Sequence, residues 1–235
     1  MAESPTNTLG YRIETYKAIC SEANTLDRLY GNNQGEEHPK YGCAKLQVTK
    51  STSIMALALS AVTGLICLTF SSGSQSWPEL NPDLEQYQDF TKCFPLQESW
   101  YTIYRNYESD PVFGGSEKCI KYTESGPPVN GAYPLHFDFG NQSGMASTTL
   151  ESSPGYTGKN ILSLTPTGGS TSVEVYGAYA ECEQCLVLRN TYISNTACAL
   201  LVPESVLNKN TTCCDFIFDL LCGTMEKYYI YDASC

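Results

Sequence analysis

Short segments of alternating apolar and polar residues recur from residue 98 onward, each bounded by turn-forming residues. Eight such segments are Glu98–Tyr107, Glu117–Thr123, Tyr133–Phe139, Met145–Glu151, Asn160–Thr165, Thr171–Tyr179, Cys185–Leu188 and Cys198–Val202. Regular short strands of this kind are typical of a β-sandwich or a β-barrel. Eight antiparallel strands close into a barrel that is just wide enough to hold one small ligand.

Two helical segments flank the predicted strands. Residues Pro78–Thr91 are a candidate short helix with their large apolar side chains on a common side. A second helix is predicted to begin at Thr212 as its N-cap and to end at Gly223. Its apolar face, at helical spacing, consists of Cys213, Phe216, Ile217, Leu220 and Leu221. The predicted fold is therefore all-β: an eight-stranded antiparallel up-and-down barrel with a short N-terminal helix and a disulfide-stapled C-terminal helix.

An uncharged apolar stretch lies at 54–70, with basic residues before it and small polar residues after it. This is the pattern of a cleaved secretory signal peptide, here 54–76. A signal anchor with a short cytoplasmic tail is the alternative, because the stretch is near the lower limit for spanning a bilayer. Residues 1–53 show no sustained period, and we predict them to be unstructured or non-native. Residues 77–235 would then form the barrel domain.

The net charge is −11, and it belongs to residues 77–235 because six basic and six acidic side chains cancel before residue 77. Binding of nucleic acid through its phosphates requires clustered Lys and Arg, so nucleic acid is excluded as a partner. A strongly acidic protein attracts cationic small molecules. Acidity that only keeps a secreted protein soluble is the alternative interpretation.

The chain contains twelve cysteines, nine of them after residue 77. This density is typical of a disulfide framework formed in an oxidising compartment. Nine cysteines allow at most four bridges and leave one thiol over. Cys182-x-x-Cys185 could instead be half a zinc site or a redox dithiol, but neither His38 nor His136 lies near a second such pair. No G-x-S-x-G motif is present, so we predict a non-enzyme with no cofactor and no metal.

Several segments resemble a known family. They are ESWYTIYRNYESDP (98–111), EKC (117–119), VYGAYAECEQCLVL (175–188), ACALLVPESV (197–206), CCDFIFDLLCG (213–223) and YIYDASC (229–235). Together they span nearly all of residues 77–235, which resemble the tick salivary lipocalins of the histamine-binding-protein group. The resemblance implies a secreted eight-stranded lipocalin barrel that sequesters a small host inflammatory mediator and counters host defence. The mediator would be histamine or another biogenic amine, or a lipid such as a leukotriene or fatty acid. Some members of the family bind a host complement protein instead.

The resemblance also implies a bridging pattern. It pairs Cys119 with Cys235, and Cys185 with either Cys213 or Cys214. The cysteines expected in bridges are Cys93, Cys119, Cys185, Cys198, Cys213, Cys214, Cys222 and Cys235. Each bridge would contribute about 2–4 kcal/mol to the free energy of unfolding.

This chain differs from the amine-binding signature of the family. Its first acid is replaced by Leu186, and its later Glu-Leu-aromatic run is replaced by Ala199-Leu200-Leu201. A buried ammonium needs a carboxylate partner, because burial of an unpaired charge costs several kcal/mol. These replacements remove one such site and leave an apolar wall that suits a lipid tail better.

Other acids and aromatic residues could still bind a ligand. Asp110 and Glu151 fall about where the family places acidic pocket residues. The candidate ligand-binding residues are Asp110, Glu151, Glu174, Tyr176, Trp100, Tyr104 and Phe137. Each acid on a strand has an even chance of facing inward, because side chains alternate between faces. Trp100 is expected to plug the closed end of the barrel rather than to touch ligand.

Asn141 and Asn210 begin N-glycosylation sequons in loop-like positions. The predicted partners are a small-molecule amine or lipid mediator, or a host protein bound through the loops. We predict no nucleic-acid partner and no stable membrane association after signal cleavage.

Overall fold

A closed antiparallel barrel of eight strands is the centre of the molecule. The strands of the described residues are β1 Trp100–Arg105, β2 Lys121–Glu124, β3 Tyr133–Phe139, β4 Gln142–Glu151, β5 Ile161–Pro166, β6 Val173–Glu181, β7 Cys185–Arg189, β8 Cys198–Pro203 and β9 Tyr228–Tyr229. Each of β1 to β8 pairs with its neighbour in sequence, and β1 pairs with both β2 and β8. The ninth strand adds to β1 outside this ring. The predicted up-and-down barrel is confirmed.

The computed structural model describes residues 9–15 and 77–235. These residues belong to one compact unit. The predicted signal peptide 54–76 lies outside the described residues, as does most of 1–53. Residues 9–15 are an exception to the predicted lack of structure: they form a helix, α1, and its Ile13 is buried.

The segment that precedes the barrel is helical, as predicted, but it is built of 3-10 turns. They are Pro78–Leu80, Pro82–Tyr87 and Phe90–Lys92. The prolines at 78 and 82 begin the first two turns, where a missing N–H costs nothing. Glu79 ties the first turn to the barrel, since it accepts a 2.9 Å hydrogen bond from Nε of Arg189 in a buried ion pair.

The C-terminal helix α2 spans Thr212–Cys222 and ends at Gly223, which adopts a φ of 83°. The predicted N-cap is off by one residue. Thr211 holds that position, while the side chain of Asn210 accepts the N–H of Thr212 at 2.9 Å. The predicted apolar face is also rotated. The buried residues of α2 are Cys214, Ile217, Phe218, Leu221 and Cys222.

Disulfides explain why α2 is rotated about its axis relative to the prediction. Cys214 is bridged to Cys185 in β7, and Cys222 is bridged to Cys198 in β8. With both cysteines directed at the barrel wall, the side chains between them at helical spacing face the wall as well. The helix is thus stapled to two adjacent strands, as the sequence predicts in outline.

The remaining bridges tie the chain ends to the barrel. Cys119 pairs with Cys235, as the family resemblance implies, and Cys93 pairs with Cys182. Cys182 was missing from the expected set. Cys213 is disulfide-bonded as well, so residues 77–235 do not contain the leftover thiol that the odd count predicts.

Two apolar cores lie on either side of the barrel wall. The inner core lines the barrel interior and includes Trp100, Leu162 and Leu186. The outer core lies between the wall and α2 and includes Tyr104 and Phe218. Neither helix of the described residues has the length and apolar character needed to cross a lipid bilayer.

A β-bulge in β1 decides which side chains reach each core. Thr102 pairs with Leu201 and Tyr104 with Leu200, so the register shifts by one residue at Ile103. An extra residue in a strand reverses the side on which the following side chains lie. Thr102 and Arg105 therefore face the interior, whereas Tyr104 packs in the outer core.

Candidate functional site

The barrel encloses a cavity that is apolar along most of its length. Its lining residues are Phe94, Leu96, Trp100, Thr102, Arg105, Tyr107, Asp110, Phe113, Ile120, Tyr122, Leu135, Leu162, Leu164, Val175, Leu186, Leu188, Asn190, Tyr192, Ala199 and Leu201. The volume of this cavity is about 60 Å³, several times the roughly 10–15 Å³ that a single water molecule needs. The barrel interior is therefore open and not completely filled by its own side chains.

The carboxylate of Asp110 lies at one end of this cavity, where only 3% of the residue is exposed. Its Oδ1 accepts the backbone N–H groups of Val112 and Phe113, both at 2.9 Å. Its Oδ2 accepts the hydroxyls of Tyr192 at 2.8 Å and Tyr107 at 3.2 Å. Four donors therefore satisfy the hydrogen-bonding capacity of this buried carboxylate.

The tyrosines around Asp110 remain neutral donors. Burial raises the pKa of Tyr107 well above its ordinary value, and the Asp110 charge raises it further. Burial followed by the Asp110 charge likewise raises the pKa of Tyr192 and of Tyr122. Asn190 completes the network by donating to the Tyr107 hydroxyl at 2.8 Å. These groups fix the carboxylate and supply aromatic rings around it.

Arg105 is the second charged residue that lines the cavity, and it is 1% exposed. Its Nη2 donates to the backbone carbonyls of Glu108 and Gly115. Its guanidinium carbon lies 5.0 Å from the centroid of the Tyr107 ring. Its buried Nε makes no hydrogen bond within the described residues. This end of the cavity therefore offers both a negative and a positive group.

The β1–β2 connection covers the polar end. Asp110 and Gly115 exchange two backbone hydrogen bonds at 2.9 and 2.8 Å, which fold this stretch into a loop. Phe113 extends from the loop into the cavity wall. The bond from Tyr192 fastens the loop to the β7–β8 connection, which is its neighbour because β8 pairs with β1.

The structure separates the predicted ligand-binding residues into two groups. Trp100, which begins β1, and Asp110, which lies in the connection after β1, both line the cavity. Phe137 is buried in the inner core and packs behind Phe113, with ring centroids 5.1 Å apart. These three are brought to the barrel interior.

The other four predicted residues lie on the outside of the barrel. Glu151 and Glu174 are exposed. Tyr176 donates to Glu174 at 2.9 Å and packs against the Trp77 ring. Tyr104 is turned outward by the β1 bulge and donates to Asp215 of α2 at 2.7 Å. Their placement does not support a contact with a ligand in the cavity.

Sequence reasoning missed six polar residues that line the cavity: Thr102, Arg105, Tyr107, Tyr122, Asn190 and Tyr192. One signal was available for Arg105, because it is the single charged residue within β1. Asn190 and Tyr192 lie in a polar connection, where nothing local distinguishes an inward side chain from a solvated one.

The family's usual acidic positions are apolar wall in this chain. Leu186 and Leu201 are partners across the β7–β8 pair, and both line the cavity together with Ala199. The structure thus places these three replacements inside the barrel, where two acids and one aromatic residue at the same positions would face a ligand. The negative charge that reaches the cavity is instead that of Asp110.

This arrangement can bind a ligand by shape, charge and hydrogen bonding. Among the described residues, no group of His, Cys, Asp and Glu is arranged to hold a metal ion. Cys182 and Cys185, the candidate half-site, belong to two separate disulfides.

Comparison with known proteins gives a family match over the barrel residues. The family model described as "Tick histamine binding protein" matches residues 78–235. A solved structure titled "Crystal Structure of AM182 Serotonin Complex" is similar at 14% sequence identity and a TM-score of 0.43, covering 59% of this chain and 84% of that chain. No curated protein sequence matches the chain. Because the family model covers the complete barrel and its stapled helix, the chain belongs to the tick histamine-binding protein family.

Proposed function

We propose that the barrel captures a small cationic amine, such as histamine, with its ammonium group at Asp110. The observation that carries this proposal is a buried carboxylate at the end of an otherwise apolar cavity. An ammonium that leaves water needs such a partner, since an unpaired buried charge costs several kcal/mol. The family name points to the same class of ligand.

The geometry around Asp110 supports an ammonium in two ways. The 3.2 Å bond from Tyr107 is the longest of the four that Asp110 accepts, so it is the one that an ammonium would replace at least cost. Tyr107, Tyr192 and Phe113 also place aromatic rings close to the carboxylate. A cation over such rings gains about 0.5–2 kcal/mol.

Size and charge agree with this ligand class. A cavity of about 60 Å³ is much smaller than the range of about 300–1,000 Å³ typical for drug-sized ligands, which favours a single-ring amine over a larger ligand. The net charge of −11 attracts cations toward the mouth and speeds their association.

The biological setting that we propose is extracellular. The chain would be exported through the signal peptide at 54–76, folded under oxidising conditions and glycosylated at Asn141 and Asn210. There it would sequester the host mediator and so counter host defence, without catalysis and without a cofactor. The disulfides support this setting, because such bridges form and persist in oxidising compartments.

A lipid mediator with an acidic head is the second candidate. Arg105 favours it, since its buried Nε has no hydrogen-bond acceptor within the described residues, and a ligand carboxylate would supply one. The apolar wall at Leu186 and Leu201 suits an acyl chain. A leukotriene is larger than the cavity, so this ligand would have to displace the β1–β2 loop.

Calorimetric titration of the oxidised protein with histamine, serotonin and a leukotriene separates the two candidates. For an amine, Asp110→Asn is expected to weaken binding about 10- to 100-fold, because a hydrogen bond to a charged group contributes about 1.5–3 kcal/mol. Glu151→Gln removes the same charge from the exposed outer face and should leave binding unchanged.

For a lipid acid, Arg105→Gln is expected to weaken binding, whereas Asp110→Asn is expected to strengthen it. Equal amine affinity in Asp110→Asn and Glu151→Gln would contradict the assignment of Asp110. Absence of binding by any of the three ligands would reject a mediator trap.

A further inference from the structure

An aromatic hollow lies on the outside of the barrel, where β1, α2 and β9 meet. It is formed by Tyr104, Phe218 and Tyr229, with ring centroids 4.9 Å apart for Tyr104 and Phe218 and 5.6 Å apart for Tyr104 and Tyr229. Tyr104 and Phe218 are buried, and Tyr229 is exposed at the rim. The chain's own Lys227 occupies this hollow.

The ammonium of Lys227 makes three favourable contacts there. Its Nζ lies 4.7 Å from the centroid of Tyr104 and 5.3 Å from that of Phe218. It also lies 2.7 Å from Oδ1 of Asp219, with the lysine side chain only 20% exposed. Two aromatic faces and a carboxylate are the groups by which proteins recognise ammonium ligands.

Tyr104 and Phe218, which form the walls of the hollow, are held in place by contacts other than those with Lys227. The Tyr104 hydroxyl donates to Asp215 at 2.7 Å, which fixes the ring to α2. The helix is in turn fixed by its bridges at Cys214 and Cys222. Lys227, by contrast, lies in the short connection between α2 and β9, whose residues from Gly223 to Glu226 are exposed. Tyr104 and Phe218 are thus held by contacts that do not involve the lysine.

We propose that Tyr104, Phe218 and Asp219 form a second ammonium-binding site, outside the barrel, which Lys227 fills as a tethered ligand. The ligand class is a primary alkylamine, the group that Lys227 itself presents. A tethered ligand competes at an effective concentration of about millimolar or higher, so free amines below that concentration are excluded from this site in the native protein. The site does not depend on the cavity, because Tyr104 and Arg105 face opposite sides of the wall.

Removal of the tethered ligand should open the site. We expect Lys227→Ala in the full-length chain to bind one more equivalent of n-propylamine than the native protein in a calorimetric titration. The matched control is Lys227→Met, whose apolar chain keeps filling the hollow without a charge, and it should gain no equivalent. Lys227→Ala combined with Asp219→Asn should bind the extra equivalent about tenfold more weakly.

A measurement on the native protein is independent of how well these variants fold. Acetylation of Lys227 by acetic anhydride, followed by mass spectrometry, should be at least about tenfold slower than that of the exposed Lys209, because its ammonium is held in the hollow. Asp219→Asn should remove most of this protection. Equal stoichiometry in native protein and Lys227→Ala, or equal acetylation of Lys227 and Lys209, would overturn the proposal.

Discussion

Replacement of Gly144 by alanine tests the packing of the barrel interior behind the mouth loop. Gly144 in β4 is the register partner of Phe137 in β3. A Cβ atom at this glycine would lie 2.5 Å from Cζ and 2.6 Å from Cε2 of the Phe137 ring. Carbon atoms in contact are about 3.5–4.0 Å apart, so the ring must move by about 1 Å.

The Phe137 ring has little room for this movement. It packs edge-on against Phe113 at 5.1 Å and stacks on Phe139 at 5.9 Å. Overpacking of this kind costs about 1–3 kcal/mol. For a protein of this size, that loss corresponds to a melting temperature lower by roughly 2–12 °C. Because Phe113 lines the cavity, a displaced ring should also weaken ligand binding.

Thermal unfolding followed by calorimetry measures the effect. Gly126→Ala is the matched control, since nothing lies within 4 Å of the added methyl group, and its melting temperature should stay the same or rise slightly. Adding Phe137→Leu to the alanine variant should restore part of the loss. If Gly144→Ala melts together with Gly126→Ala, the close contact between Gly144 and Phe137 is not a feature of the folded protein.

Three further predictions concern charge, cross-links and the cavity wall. Hydrogen bonds from Ser234 lower the pKa of Asp232 from 3.8 to about 2. The ionised carboxylate should therefore stabilise the fold above pH 3.8, and this contribution should be lost as the pH falls through 2. An NMR titration of the Asp232 carboxyl group measures the pKa. Replacing Cys198 and Cys222 together by alanine removes the bridge that closes the β8–α2 segment, and should lower the free energy of unfolding in urea by about 2–4 kcal/mol. Leu186→Asp restores the family's acid in the apolar wall. It should lower the free energy of unfolding by several kcal/mol at pH 7 and by less at pH 4, where the buried acid is neutral. An equal loss of this free energy at both pH values would contradict the buried position of residue 186.

The strands could be predicted because local pattern determines them. In β3, the alternation that ends at Phe137 and Phe139 is visible in the sequence and matches the observed strand. Asp110 was predicted from the family resemblance, because it falls about where the family places an acidic pocket residue. Its inward orientation depends on a hydrogen bond from Tyr192, which lies 82 residues away in sequence, and no local pattern encodes that contact.

Two errors have the same physical origin, since in both a tertiary contact overrides the local period. Strict alternation places Tyr104 on the same side as Trp100, but the bulge at Ile103 turns it outward. Helical spacing allows an apolar face at either Cys213 or Cys214, and the bridge to the barrel selects Cys214. Neither a bulge nor a choice of disulfide partner leaves a mark within its own segment.

The two cross-links that attach α2 to β7 and β8 have a consequence for how a guest enters the barrel. Because α2 is bridged near its start and at its end, it is held against sliding along β7 and β8 and against rotation about its own axis. The β1–β2 connection at 106–118 contains no disulfide, so we expect it to move more readily than this flank. We therefore expect the rates of ligand entry and release to depend more on substitutions in 106–118 than on substitutions in α2.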